Sequence, residues 1–151
     1  MPRLLTSRGD YGLLLVVDLA KSWGENPRSI SEIAHFYHLP VSFLEQIALG
    51  LKKAQLLLAT RGKNGGYVLA RHPRLISVVE VLEALEGPLQ LVSCQGTTCP
   101  VEGSCLTQDF WQVLQRHLHR SLREVSVLDL LEKSPHQVFA ANYGRGNFKS
   151  A

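Results

Sequence analysis

The strongest constraint on the fold is a succession of short apolar periodicities in the first half of the chain. Between Asp10 and Trp23, Leu13, Val16, Val17 and Ala20 recur at helical spacing, and Leu14 widens the apolar face. Gly24 and the Asn26-Pro27 turn end that pattern. Ser29 and Glu32 have capping-box spacing and open a short second helix, in which Ile33, Ala34, Tyr37 and Leu39 lead to Pro40. Proline is tolerated at a helix's first position, so a third helix starts there, with Phe43, Leu44, Ile47 and Leu51 at helical intervals and Lys52-Lys53 at its end. Three short helices with tight connections predict a helix-turn-helix core. An apolar run at Leu56–Thr60, a basic Gly/Asn turn at Arg61–Gly66 and a second run at Tyr67–Ala70 predict a β-hairpin. Helices followed by a basic hairpin describe a winged helix-turn-helix. The glycines beside Lys63 lack the spacing and the Lys-Ser/Thr ending of a phosphate loop.

Further along, Ser77 and Glu80 form another capping-box pair, opening a helix to about Glu86 that Gly87-Pro88 stops. Residues 89–106 have no helical period and contain all three cysteines. A long helix is predicted from Thr107, its N-cap. Trp111, Leu114, Leu118, Leu122 and Val125 fall at steps of three or four, the seam of a helix that pairs with another helix. So short a chain leaves little to cover that seam from within, which favours a dimerisation helix over a core helix. Ser126 to Glu132 predicts a short final helix, and the tail from Ser134 is expected to be mobile. The expected fold class is mainly α with a small β-hairpin: a winged helix-turn-helix over residues 1–75, a loop (89–106) and dimerisation helix within 76–133, and a tail over 134–151.

A chain of 151 residues supports one domain, or a small domain with an appendage. It is too short for a two-domain dehydrogenase, a full barrel enzyme or a kinase. No apolar run approaches the roughly 20 residues that cross a bilayer, and Met1–Thr6 lacks the pattern of a signal peptide. A cytoplasmic location without membrane partners is therefore expected. The net charge of +3 conceals an asymmetry: residues 1–75 carry ten Lys/Arg against five Asp/Glu, whereas residues 76–133 carry four against eight. A basic half joined to an acidic half fits a polyanion-binding module attached to something that is not one.

Cys94, Cys99 and Cys105 lie within twelve residues, in a loop rich in Gly, Thr and Ser. An odd, clustered set in a reducing compartment points to metal chemistry before disulfides. Gaps of four and five residues let a loop fold around an iron–sulfur cluster, whereas structural zinc sites more often use tighter knuckles. Zinc and metal-free redox thiols remain open on spacing alone. No histidine or acid is placed by motif beside a cysteine, so a thiol enzyme is not expected. His35 and His38, three apart, read as surface side chains rather than a metal pair, and His117 and His119 cannot share one helix face.

The residues also carry a family resemblance. Leu5-Thr6-Ser7-Arg8-Gly9, Ser42-Phe43-Leu44-Glu45-Gln46, Arg61-Gly62 with Gly65-Gly66-Tyr67, and the three-cysteine loop followed by Leu106-Thr107 resemble the winged-helix iron–sulfur transcription regulators typified by IscR and NsrR. The match runs from Leu5 to about Lys133. It implies a homodimeric, sequence-specific DNA-binding regulator, not an enzyme, acting on a near-palindromic double-stranded operator and without a small-molecule substrate. It also implies an iron–sulfur cluster on Cys94, Cys99 and Cys105, a four-iron form slightly favoured over a two-iron form, sensing nitric oxide, redox state or iron supply. IscR-like members add a histidine where this chain has Gln108, a poor iron ligand; NsrR-like members add an aspartate from the partner subunit, and Asp10 stands at that position. As a metal-free reading of Asp10, a carboxylate at a helix N-terminus is favoured by the helix dipole. The alternative function is a cluster-free repressor sensing through cysteine thiols or a small molecule on the same fold.

In that setting the third helix enters the major groove with Ser42, Glu45 and Gln46 on its first turns. Glu accepts from cytosine N4 and Gln bonds adenine. Arg61 matches the family position that reaches a minor groove, while Arg8, Lys52, Lys53 and Lys63 are expected on phosphates.

Overall fold

Thr6 sets where the chain first becomes helical: its hydroxyl accepts from the Arg8 amide, and α1 runs Ser7–Lys21. Asp10 therefore lies in the first turn of α1 rather than at its start. The structure, a computed structural model, describes residues 5–92, Cys99, Val101 and 103–143. Two further helices follow, α2 (Ile30–Phe36) and α3 (Val41–Lys53). Ser29 is the N-cap of α2, but its side chain makes no capping bond, so the capping box predicted with Glu32 does not form. The chain ahead of α2 is held instead by strand-like pairing of Arg28 with Tyr67, with N···O distances of 3.0 and 2.8 Å. Pro40 caps α3 from just outside the helix, one position earlier than its sequence reading.

Strands β1 (Leu57–Thr60) and β2 (Gly66–Leu69) form an antiparallel hairpin with Leu57 opposite Leu69 and Thr60 opposite Gly66. Gly66 has φ +156°, and a Cβ there would collide with the Arg28 backbone. That close approach lets the hairpin root dock on the segment before α2. A 3-10 turn, Pro73–Leu75, leads to α4 (Val78–Glu86). Here the predicted capping box is present: Ser77 accepts from the Glu80 amide, and the Glu80 carboxylate accepts from the Ser77 amide. Gly87, at φ +80°, ends the helix.

Two apolar clusters hold these elements. The larger joins Leu15, Val16 and Leu19 of α1, Ile33 and Ala34 of α2, Leu44, Ile47 and Leu51 of α3, and Leu57 and Leu69 of the hairpin, with Val81 and Val127 from later in the chain. The smaller comprises Val78, Val79, Leu82, Leu89, Val125 and Val138. Helix α4 contributes to both, and it packs so closely on α1 that a Cβ on Gly12 would strike a Leu85 methyl.

The long helix α5 spans Gln108–Glu124, and none of its residues is buried in the protomer. Trp111, Leu118 and Leu122 are half-buried, while Phe110, Val113 and Leu114 stand 59, 43 and 39% exposed. Phe110, four residues before Leu114, widens the seam read from the sequence. A face this apolar in a small chain is one that another helix covers. Helix α6 (Val127–Glu132) has its own capping box, Ser126 with Asp129. Burial works against the Asp129 charge, but Lys133 at 2.6 Å and the Ser126 amide and hydroxyl outweigh it and hold the carboxyl at about 2.

Where the sequence suggests a mobile tail, the structure has a seventh helix, α7 (Pro135–Tyr143). Its start is chemically specified: Ser134 accepts from the Gln137 amide, and the Gln137 side chain accepts from the Ser134 amide. Proline follows the cap, where its missing N–H costs nothing, and Val138 is buried in the smaller cluster. Residues 144–151 lie outside the described residues.

Candidate nucleic-acid interface and cysteine segment

Helix α3 divides cleanly into two stripes. Leu44, Ile47, Ala48 and Leu51 are buried, whereas Ser42, Glu45, Gln46, Leu49, Lys52 and Lys53 are exposed. The exposed set steps by three and four, so it forms one continuous face. Arg8 comes to that face from α1: Arg8, Gln46, Gly50 and Lys53 line one shallow groove, with the guanidinium alongside Gly50. The structure thus brings a predicted base-reading residue and two predicted phosphate contacts together. Arg61 and Lys63 are exposed on the hairpin turn, a separate site.

One residue that orients the hairpin is absent from the sequence reading. Asp18, 3% exposed, accepts from Arg28 Nη1 at 2.7 Å and from the Tyr37 hydroxyl at 3.0 Å, with Lys21 Nζ 3.6 Å away. Arg28 is also the residue whose backbone pairs with Tyr67 of β2. A single carboxylate therefore links α1, the end of α2 and the hairpin root. Its sequence signal is an acid three residues after Leu15 and next to Leu19, inside an apolar stripe.

At the other end of α1, Glu86 closes the helix's free amides. Its Oε1 accepts from the Thr6 amide at 3.1 Å, the Thr6 hydroxyl at 2.5 Å and the Gly9 amide at 2.8 Å. Burial raises this carboxyl's pKa, but the Thr6 and Gly9 bonds and the nearby Arg8 charge more than compensate, leaving it below the ordinary range. Glu86 is the last residue of α4 before the cysteine-bearing segment, so that segment begins from a carboxylate fixed to α1. Asp10 is exposed on the same first turn.

Cys99 and Cys105 are half-buried free thiols. Cys105 Sγ lies 3.5 Å from the Thr107 hydroxyl, and hydrogen bonding from that hydroxyl, with the Thr107 and Gln108 backbone, lowers its thiol pKa. Cys94 lies outside the described residues. Among the described residues of one protomer, no three His, Cys, Asp or Glu side chains converge, so Asp10 does not join Cys99 and Cys105 within a chain. Two of the histidines have other partners: His35 Nδ1 donates to the Ser31 carbonyl at 2.6 Å, and His119 Nε2 lies 3.2 Å from Glu83, tying α5 to α4. Gln115 of α5 bonds the backbone at Leu89 and Leu91, a contact that sequence reasoning missed.

Helix-turn-helix, basic hairpin and a continuous polar face on α3 define a winged helix-turn-helix DNA-binding protein. The family described as "Rrf2: Iron-dependent Transcriptional regulator" matches residues 5–133. Protein rrf2 of Nitratidesulfovibrio vulgaris is 34% identical over 129 residues, covering 84% of this chain and 86% of that one. Among solved structures, CymR, described as the global cysteine regulator of B. subtilis, superposes with TM-score 0.74 at 30% identity over 87% of this chain and 97% of its own. IscR of T. potens gives 0.69 at 32% identity over 85% of each chain. The chain belongs to the Rrf2 family. It is a homodimeric DNA-binding transcription regulator and not an enzyme. Such a regulator meets its DNA in the cytoplasm. No helix among the described residues is long and apolar enough to cross a membrane.

Proposed function

We propose that the dimer reads a near-palindromic operator, with each α3 in a major groove and each hairpin at a flanking minor groove. The exposed face of α3 is the observation that carries this reading. Ser42, Glu45 and Gln46 meet base edges, Arg61 enters the minor groove, and Arg8, Lys52, Lys53 and Lys63 sit on phosphates. Residues 1–75 then act as the reader, and residues 76–133 as the half that pairs and senses.

The state of the cysteines sets DNA affinity in this account. Thiol sensing is the better-supported chemistry: Cys105 has a depressed thiol pKa, which raises its thiolate fraction, and the similar CymR of Staphylococcus aureus is described in an oxidized form. A second reading is an iron–sulfur cluster, supported by the third cysteine and by the family's description as iron-dependent. Cys94, Cys99 and Cys105 would hold it as soft thiolates, with Asp10 reaching across the dimer as a weak, protonatable fourth donor. The free thiols of Cys99 and Cys105 fit such a donor set. When bound, the cluster would supply reactivity toward nitric oxide or oxygen and sensitivity to iron supply. Anaerobic isolation separates the two. Thiol sensing expects colourless, iron-free protein with three titratable thiols. A visible absorbance with stoichiometric iron, altered by Asp10→Ala, would overturn it in favour of the cluster.

A further inference from the structure

Gln115 stands two turns inside α5, and its side-chain amide is matched on both sides. Its Oε1 accepts the Leu91 amide proton at 2.8 Å, and its Nε2 donates to the Leu89 carbonyl. The two backbone groups fix which end of the amide is oxygen and which is nitrogen. Leu89 is itself 5% exposed and packs in the smaller apolar cluster with Val78, Val79, Leu82 and Val125. Its carbonyl needs a protein partner, and Gln115 supplies one both there and at the half-buried Leu91 amide. It acts as a neighbouring strand would, through one donor and one acceptor.

The far end of the same segment runs through Cys105 and Thr107 directly into α5. Gln115 lies eight residues beyond Thr107, roughly 12 Å along the helix axis at 1.5 Å per residue. Both ends of the cysteine-bearing segment are thus anchored on one helix, and that helix carries the exposed apolar seam.

We propose that Gln115 is the positioning residue of the cysteine segment, clamping its start to the dimerisation helix so that a change at the thiols is transmitted to α5. This rests on the reading that cysteine state controls DNA affinity. The test uses the full-length dimer and a duplex that the wild-type protein selects from a random pool. Amide exchange at Leu91 is followed in Gln115→Met and Gln115→Glu. The clamp expects at least tenfold faster exchange in the Met variant, which keeps the volume and loses both bonds. It expects a smaller loss of protection in the Glu variant, which keeps the acceptor for Leu91 but sets an oxygen in place of the donor to Leu89. A side chain that merely fills space gives the opposite order and overturns the proposal. Where the Met variant does not fold, Gln115→Ser, too short to reach, is expected to show the same loss.

The second readout is the ratio of Kd between reduced, metal-free protein and protein alkylated with iodoacetamide. It should shrink at least threefold in the Met or Ser variant, with reduced-state affinity within twofold of wild type. A freed Leu91 amide with an unchanged ratio overturns the clamp's role. A wild-type ratio of one overturns the sensing reading itself, and does so before any variant is compared.

Discussion

Asp18→Ala is expected to be among the most destabilising single substitutions in the protein, at about 3 kcal/mol, the lower end of the range for breaking a buried ion pair. The carboxylate is 3% exposed and receives bonds from Arg28 and Tyr37. Removing it strands a guanidinium whose side chain is 32% exposed and a phenol that has lost its acceptor. Partial exposure of Arg28 holds the cost to the lower end, since water re-solvates part of the freed charge. In a chain of this size that corresponds to a fall in melting temperature of roughly 6–12 °C. Asp18→Asn keeps an acceptor for Tyr37 and should lose about half as much. Urea unfolding of both variants measures the effect, and an alanine loss below 1 kcal/mol would count against the ion pair as the hairpin's anchor.

The second large effect is on DNA. Arg61 is exposed, so Arg61→Ala should leave the unfolding midpoint unchanged. A dimer presents Arg61 twice, and each lost groove contact is worth about 1–2 kcal/mol. The expected weakening of about 2–4 kcal/mol raises Kd roughly 30- to 1,000-fold at fixed salt. The loss should be larger where A·T-rich steps narrow the flanking minor groove. Lys63→Ala, removing the proposed phosphate contact, should weaken all sequences alike and flatten the salt dependence. Glu45→Ala should instead relax discrimination at the base it is proposed to read. Unaltered operator affinity in both Arg61→Ala and Glu45→Ala would remove the basis for the proposed docking.

Legibility followed the range of the interactions involved. The buried stripe of α3, the Ser77–Glu80 capping box and the hairpin turn are local patterns, and each forms where it was read. Ser29–Glu32 has the same spacing, yet its box does not form, and the chain there is held by the long-range pairing of Arg28 with Tyr67. Helix α7 was obscured by the Gly- and Asn-rich residues that follow it, although Ser134-Pro135-His136-Gln137 is a complete start signal. Asp18 looks like any helix acid until Arg28 and Tyr37 fold onto it. The Glu86 and Gln115 bonds join segments 77 and 24 residues apart, which no periodicity encodes. For the proposed cysteine site, the thiols and their spacing were legible. The proposed fourth donor would come from the partner subunit, so one chain's sequence carries it only through resemblance.

The proposed control of operator affinity by cysteine state is tested by one titration. The wild-type dimer is measured at a single salt concentration against its selected duplex, first reduced and metal-free, then with its cysteines alkylated. Kd is expected to change at least tenfold while the dimer stays intact. Equal Kd in the two states, with alkylation verified by mass, would contradict it.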